Sequence, residues 1–211
     1  MDIRHPSDPG PHPAVMLVHG GFWRHMWARD TTDGLAVDLA RRGYVSANVE
    51  YRRMGTGGGW PTSVDDVEAA IRHLLDTEDI TEVAVIGHSA GAHLGFLAAA
   101  RIDRPILAIS LGGVLDMEST LAEGLGDGAA AEFLAGADPT AASPLHHSPS
   151  RAIVVHGTDD DRVPISQART YSESTGATLV ELDDTGHFEF LERSSGAWRT
   201  VEDLLRRHLT V

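Results

Sequence analysis

The sequence predicts an α/β fold in which a mostly parallel sheet of six to seven strands carries helices on both faces. Short apolar runs alternate with segments of helical periodicity along nearly all of the 211 residues, a pattern typical of a parallel sheet. A Gly-x-Ser-x-Gly motif stands at residues 87–91, between an apolar run and a small-residue helical segment. Because parallel strands end at one edge of a sheet, the loops that follow them are expected to share a site.

Six apolar runs mark the predicted strands. Each is short enough for a strand buried in the middle of a parallel sheet, where both faces are covered. The predicted strands span residues 14–19, 44–50, 82–87, 105–111, 151–156 and 177–182.

Helical periodicity fills the intervals between these strands. Residues 31–42 repeat apolar positions at helical spacing and end at Gly43, a typical helix C-cap. Another helix begins near Ser63 with acids in its first turn, and a closing helix spans 195–209. At this length the alternation predicts a single domain over residues 1–211.

Composition excludes several classes of partner. There are 31 acidic and 17 basic residues, a formal charge of −14, and such a chain is repelled by nucleic acid and by anionic membranes. The absence of cysteine excludes disulfides and a thiol nucleophile. No apolar segment reaches the length of a membrane helix and the first residues lack the features of a secretory signal, so we expect a cytoplasmic protein.

The Gly-His-Ser-Ala-Gly motif at residues 87–91 predicts a nucleophilic serine. A sharp turn between strand and helix holds its serine in a strained conformation, and the two glycines keep the neighbouring strand and helix from clashing. The hydroxyl of Ser89 is thereby presented to a substrate. The N–H of Ala90, at the helix start, is placed to stabilise an oxyanion.

The His-Gly-Gly-Phe-Trp segment at residues 19–23 predicts the second half of an oxyanion hole. It follows directly on the strand predicted at 14–19, and its glycines allow backbone N–H groups to turn toward a site. We expect the N–H of Gly21 or Phe22 to act together with that of Ala90.

His187 is the predicted base, because it follows the last strand in a Gly-His-Phe loop from which an imidazole can meet both Ser89 and an acid. Three consecutive acids, Asp159, Asp160 and Asp161, follow the fifth predicted strand and compete for the role of orienting that imidazole. The order Ser, Asp, His along the chain matches one of the known serine-hydrolase arrangements.

Two ionisable residues near these motifs are interpreted as structural. His19 is expected to brace the turn at residues 19–23 through hydrogen bonds. Glu50, at the end of an inner strand, is expected to form a salt bridge or hydrogen bond with Arg52 or with the loop near His88.

Aromatic residues in the loops at the carboxyl edge predict a substrate pocket, since ligand sites are lined by such side chains with a few polar groups. The predicted substrate-binding residues are Trp23, His88, Trp27, Trp60 and Phe188.

No metal site is expected. His146 and His147 are adjacent, so their side chains point differently, and the chain has no His-Glu-x-x-His pattern.

Taken together, the segments at 19–23 and 87–94 resemble those of α/β-hydrolases, in particular the arylformamidase (kynurenine formamidase) and small carboxylesterase branch. The resemblance extends from Ala14 to about Leu209. Because only about thirteen residues precede the first predicted strand, we expect the antiparallel strands that commonly open this fold to be absent or reduced to one short piece. The resemblance also implies that residues 114–150 form a small cap-like insertion of two or three short helices.

The resemblance further implies which residues do the chemistry. Its His-Gly-x-x-Asp-x-x-Val-Pro pattern maps the orienting acid to Asp160, leaving Asp159 as a turn or cap residue and Asp161 as a solvent-exposed one. The implied protein is a metal-independent serine hydrolase with no cofactor. It would cleave short-chain carboxylic esters or small activated amides through an acyl-enzyme formed on Ser89, with His187 as base.

Two alternatives stay open at this point. One is an exopeptidase-like activity on short peptides, disfavoured because the chain has no second domain to select them. The other is a catalytically silent binding module of the same fold, which would not react with a fluorophosphonate probe.

Overall fold

A seven-stranded sheet organises the computed structural model, which describes residues 1–210. Its spatial order is β1-β3-β2-β4-β5-β6-β7. β1 pairs antiparallel with β3, and every other neighbouring pair is parallel. The strands are β1 (Asp2–Arg4), β2 (His12–Val18), β3 (Val45–Val49), β4 (Ile80–His88), β5 (Leu107–Leu111), β6 (Arg151–Gly157) and β7 (Thr178–Leu182).

The predicted fold class is confirmed, and the six predicted strands correspond to β2 through β7 with ends that differ by a few residues. The seventh strand, β1, is the one short antiparallel piece expected before the first predicted strand. The largest differences in bounds are at β2 and β4, each of which begins two residues earlier than predicted because their first residues pair with each other, beyond an irregularity between His12 and Ala14.

Helices cover both faces of the sheet. Two additional 3-10 turns span Arg29–Thr32 and Glu189–Leu191. The helices are α1 (Asp33–Arg41), α2 (Thr62–Thr77), α3 (Ala90–Ala100), α4 (Met117–Ala122), α5 (Ala129–Leu134), α6 (Ser166–Thr175) and α7 (Gly196–His208).

Side-chain alternation along the strands divides the core into two hydrophobic layers. On β2, for example, Met16 contributes to the layer beneath α2, α3 and α6, whereas Leu17 contributes to the layer beneath α1 and α7. The largest side chain of the second layer is Trp198, which is fully buried. Because both faces are covered, the site loops are left at the sheet's carboxyl edge.

Residues 114–150 carry the two short helices α4 and α5, which pack onto the first layer. His93 of α3 connects this segment to the body of the protein. Its Nδ1 accepts a hydrogen bond from Trp23 Nε1 at 3.3 Å, and its Nε2 donates to the carbonyl of Ala142 at 2.8 Å. Phe133 of α5 stacks on the Trp23 ring at 4.6 Å. The cap-like segment is therefore anchored on one buried aromatic cluster.

Within residues 1–210, no helix combines the length and the apolar character needed to cross a lipid bilayer.

Burial of His93 predicts an acid-sensitive fold. Burial lowers the pKa of His93 to about 4, while the same residue titrates near about 6.5 in an unfolded chain. Between these values the unfolded state binds the extra proton, so stability is full above about pH 6.5 and falls as the pH drops toward 4. His93→Phe cannot take up this proton and should show a smaller loss of unfolding free energy between pH 6.5 and 4.5 in urea titrations.

The same variant should be less stable at pH 7 by about 1–3 kcal/mol, because Trp23 Nε1 and the Ala142 carbonyl lose their partner. Burial also lowers the pKa of His88, to about 3, so part of the pH dependence of stability should remain in the variant. If the unfolding free energy falls equally with pH in wild type and in His93→Phe, His93 is not the source of the acid sensitivity.

Candidate active site

Ser89 occupies a sharp turn between β4, which ends at His88, and α3, which begins at Ala90. Its backbone has φ 55° and ψ −124°, a conformation that a side-chain-bearing residue holds only when its surroundings enforce it. Gly91 makes the turn possible, because a Cβ there would collide with the backbone of Val18. The Ser89 N–H donates to the carbonyl of Leu111 at 2.9 Å, which fixes the turn against β5.

His187 and Asp160 form a buried pair beside this turn. Nδ1 of His187 donates to Oδ2 of Asp160 at 2.7 Å, and the Asp160 side chain has no exposed surface. The other carboxylate oxygen, Oδ1, accepts the backbone N–H groups of Arg162 at 2.9 Å and Val163 at 2.8 Å. Both oxygens of the Asp160 carboxylate are therefore hydrogen-bonded.

Asp160 stays ionised despite its burial. Burial alone raises the pKa of a carboxyl group, but hydrogen bonds from His156 and His187 and from the Val163 N–H outweigh it and hold the pKa of Asp160 well below its ordinary value. An ionised acceptor at Oδ2 keeps the proton of His187 on Nδ1. Nε2 is thereby left as the ring nitrogen free to take a proton.

Ser89 and His187 line the same cleft, which also holds His88. The structure contains no hydrogen bond between the Ser89 hydroxyl and His187. Such contacts often tighten only when a substrate binds.

His88 supports the His187 loop from below. Its Nε2 donates to the carbonyl of His187 at 2.9 Å, and the two rings are 4.6 Å apart. Burial and the nearby His187 lower the pKa of His88 to about 3, so this ring is neutral at physiological pH.

The turn at residues 19–23 lies directly against the serine. A Cβ built on Gly20 would be 2.9 Å from Ser89 Cβ. Gly21, Phe22 and Trp23 all have positive φ, at 113°, 48° and 59°, which is unusual for the two aromatic residues. Among residues 1–210, the N–H groups of Gly21, Phe22 and Ala90 donate to no other protein group. Three backbone donors are thus unoccupied near the serine.

His19 and Glu50 brace this turn from the interior. Nδ1 of His19 lies 2.8 Å from the Gly20 carbonyl, and its Nε2 lies 3.1 Å from Glu50 Oε1. Glu50 also accepts the Arg29 N–H and pairs with Arg53 at 3.2 Å. Burial would raise the pKa of Glu50, but the bonds from His19 and Arg29 reverse that effect and lower it.

This arrangement corrects the partner expected for Glu50. Arg52 does not contact it and pairs instead with Asp66 at 2.6 Å, because Arg52 and Arg53 point to opposite sides of the chain. The arginine side chain that pairs with Glu50 is Arg53, three residues along the chain, in addition to His19 and the Arg29 N–H.

The cleft has a volume of about 570 Å³ and lies between the 19–23 turn, the His187 loop and residues 124–127 of the cap-like segment. Trp27 and Phe188, each about half exposed, stand at its rim. Phe22 packs against Gly126 of the cap-like segment. Among the predicted substrate-binding residues, His88, Trp27 and Phe188 line this cleft.

Trp23 and Trp60, also predicted to bind substrate, do not line the cleft. The positive φ of Trp23 turns its side chain inward, where it is fully buried between His93 and Phe133. Trp60 packs on the first hydrophobic layer, with the Arg101 guanidinium 5.9 Å from its ring. Both tryptophans therefore contribute to packing of the protein interior rather than to the cleft.

The three competing acids have different surroundings. Asp159 is exposed and accepts from the Thr158 hydroxyl at 3.3 Å, whereas Asp161 is exposed at the cleft and pairs with Arg162 at 3.3 Å. Among these acids, only Asp160 turns inward toward His187.

Sequence reasoning did not identify several cleft residues, chiefly charged or small residues of adjoining loops that follow no pattern. Arg24 and Arg162 adjoin predicted motifs along the chain, whereas residues 124–127 carry no such signal. The cleft residues that were not identified are Arg24, Thr31, Gly124, Leu125, Gly126, Asp127 and Arg162.

No group of three or more potential metal ligands occurs in the part of the chain that the structure describes. His146, one of the adjacent histidines, pairs with Glu118 at 2.8 Å.

The chain is similar to known hydrolases in sequence. A family model described as BD-FAE matches residues 1–124. A protein named kynurenine formamidase from Danio rerio is 32% identical over 96 residues, covering 44% of this chain and 32% of that protein. Esterase LipC from Mycobacterium tuberculosis is 28% identical over 222 residues, covering 86% and 54%. The chain thus spans about a third and about half of the lengths of these relatives.

Solved structures show the same architecture. A truncated carbohydrate esterase from gut microbiota has a TM-score of 0.80 and 18% identity, with 97% of this chain and 89% of that chain covered. An esterase/lipase from an uncultured bacterium has a TM-score of 0.75 and 22% identity, covering 97% and 79%. At these identities the likeness concerns the fold, and it confirms the predicted α/β-hydrolase architecture.

The surroundings of Asp160 predict a large difference between two adjacent carboxylates. In Asp160→Asn the amide NH₂ must face either two backbone N–H groups or two histidine N–H groups, so we expect a loss of about 2–4 kcal/mol in unfolding free energy. The exposed Asp159→Asn should stay within about 0.5 kcal/mol of wild type. Urea unfolding at pH 7 measures both, and equal stabilities would contradict the described contacts.

Proposed function

Because the chain belongs to the BD-FAE family, we propose that it is a metal-independent serine hydrolase acting on short-chain carboxylic esters or small activated amides. The observation that carries the proposal is the convergence on one cleft of Ser89, in its strained turn, and the hydrogen-bonded His187–Asp160 pair. A nucleophile, a base and an acid that orients the base are the parts that acyl transfer requires.

In the proposed reaction, the hydroxyl of Ser89 attacks the substrate carbonyl carbon while its proton passes to Nε2 of His187. Asp160 holds the ring and stabilises the imidazolium. When the tetrahedral intermediate collapses, His187 returns the proton to the leaving group and the acyl-enzyme remains. A water molecule, deprotonated by the same imidazole, then releases the acid and restores Ser89.

The unoccupied backbone donors supply the proposed oxyanion hole. The N–H of Ala90 stands at the start of α3, where the helix dipole favours negative charge. The N–H of Gly21 or Phe22 would complete the pair. These donors are fixed before reaction, so little reorganisation is needed as charge develops on the carbonyl oxygen.

The substrate class rests on the names of similar proteins and on the shape of the cleft. Esterases occur among the relatives and structural neighbours, and the Danio rerio relative is named a formamidase. Two rim aromatics, Trp27 and Phe188, offer flat faces to a leaving group. We therefore propose an ester or small amide with a planar or aromatic leaving group.

Replacing the nucleophile tests the proposal. Ser89→Ala should lower kcat on p-nitrophenyl acetate by roughly 10³-fold or more, and His187→Ala should behave similarly, because nucleophile and base act as one unit. A fluorophosphonate probe should label wild type and not Ser89→Ala.

Ser46→Ala is the matched control, since Ser46 is a buried serine of β3 whose hydroxyl has no partner. It should retain activity and labelling. More than about a tenth of wild-type activity in Ser89→Ala, with native stability, would reject the serine mechanism. An unlabelled wild type would favour a silent binding module.

The cleft also predicts a preference for short acyl groups. A methylene contributes about 0.8 kcal/mol only when it is buried, and the half-exposed Trp27 and Phe188 show that the outer part of the cleft is open to solvent. Acetyl or butyryl p-nitrophenyl esters should therefore have higher kcat/KM than octanoyl or longer ones. A kcat/KM that climbs steadily beyond eight carbons would contradict this and indicate a lipase-like tunnel.

A further inference from the structure

A second buried histidine contacts the acid of the candidate triad. His156 lies near the end of β6, four residues before Asp160, and has no exposed surface. Its Nε2 is 3.3 Å from Asp160 Oδ2 and 2.9 Å from the carbonyl of Val163. The mechanism described above does not use this imidazole.

The contacts of His156 determine which nitrogen carries its proton. Both neighbours of Nε2, a carboxylate and a carbonyl oxygen, are acceptors, so Nε2 must donate. Nδ1 is buried and has no hydrogen-bond partner. Nε2 therefore carries a proton, and this N–H is shared between Asp160 and Val163.

This N–H reaches the same oxygen that His187 uses. Oδ2 of Asp160 receives His187 Nδ1 and His156 Nε2, while Oδ1 receives the N–H groups of Arg162 and Val163. The bond from His156 is the largest of the contributions that lower the pKa of Asp160 against its burial. Without this donor, His187 would be the only side chain bonded to Oδ2, and the orientation of the carboxylate at that oxygen would be fixed less tightly.

We propose that His156 is a positioning residue that holds the Asp160 carboxylate in the orientation that His187 needs. The expected kinetic effect rests on the proposed hydrolase function, whereas the contact between His156 and Asp160 does not depend on it. It implies that loss of the donor lowers kcat and leaves KM nearly unchanged, because His156 lies beneath the site and does not line the cleft.

Two substitutions separate this role from packing. His156→Gln places an amide N–H at about the distance of Nε2, whereas His156→Phe keeps the ring shape and removes the donor. We expect His156→Phe to lose roughly 10- to 100-fold in kcat on p-nitrophenyl acetate, the usual effect of one hydrogen bond to a charged group, with KM within about twofold. His156→Gln should recover most of this loss.

Val154→Ala is the matched control for stability. Val154 lies two residues earlier on β6, is fully buried, and has an apolar side chain that cannot hydrogen-bond to Asp160. It should lower the unfolding free energy while kcat stays within about twofold of wild type. A His156→Phe enzyme with wild-type kcat, or a His156→Gln enzyme as impaired as His156→Phe, would overturn the proposal.

A measurement on the wild-type protein keeps the proposal testable even if the variants do not fold. Histidine ¹⁵N NMR should show His156 protonated at Nε2 and unprotonated at Nδ1, and the opposite tautomer would overturn the assignment. Ser89→Ala distinguishes the two proposals: if wild type and Ser89→Ala are equally inactive, the hydrolase function fails. The tautomer of His156 and the downfield ¹H NMR signal of the proton in the hydrogen bond between His187 Nδ1 and Asp160 Oδ2 still test the positioning role.

Discussion

The buried carboxylate of Asp160 is the interaction on which the rest of the site depends. It connects the loop after β6 to the loop after β7, two strands that are neighbours in the sheet. β5 contributes through Gly112, whose φ is +52° and where a Cβ would lie 2.8 Å from Asp160 Oδ2 and 3.2 Å from His187 Nδ1. A glycine is required there because a side chain would separate the carboxylate from the imidazole.

Charge explains why this arrangement tolerates burial. An isolated carboxylate inside a protein would take up a proton, since burial disfavours the charged form. Four N–H donors, two from the backbone and two from histidines, replace the lost water around Asp160. His187 is in turn held through its own carbonyl by His88, which is neutral and therefore adds no positive charge next to the base.

The turn at residues 19–23 holds a strained backbone conformation. Gly21 adopts its positive φ without strain, but the positive φ values of Phe22 and Trp23 cost energy because both residues carry a Cβ. His19 and Glu50 hold the turn from inside, and the Tyr51 ring stacks on His19 at 4.5 Å with an angle of 17° between the planes. These contacts offset the strain, and the backbone donors stay free for a ligand.

Those parts of the molecule that obey simple periodic rules could be predicted from the sequence. Strands buried on both faces need continuous apolar runs, so β2 to β7 followed from the sequence. The proximity of His187 to Asp160 followed from their positions just past adjacent strand ends. Side-chain direction in strained turns follows no such rule, so the inward turn of Trp23 was missed, and the glycine-rich residues 124–127 carry no pattern that marks a cleft wall.

The same turn links the candidate chemistry to the cap-like segment. The ring of Phe22 packs against Gly126, Trp23 stacks on Phe133, and Arg24 donates to the carbonyl of Asp127 at 3.2 Å. Three consecutive residues of this turn, Phe22 to Arg24, thus hold the segment that forms the opposite wall of the cleft. Because a displacement of the cap-like segment would also shift the backbone donors of this turn, the shape of the pocket and the placement of the proposed oxyanion hole are physically coupled. In such an arrangement, changes in the cap alter kcat as well as substrate binding.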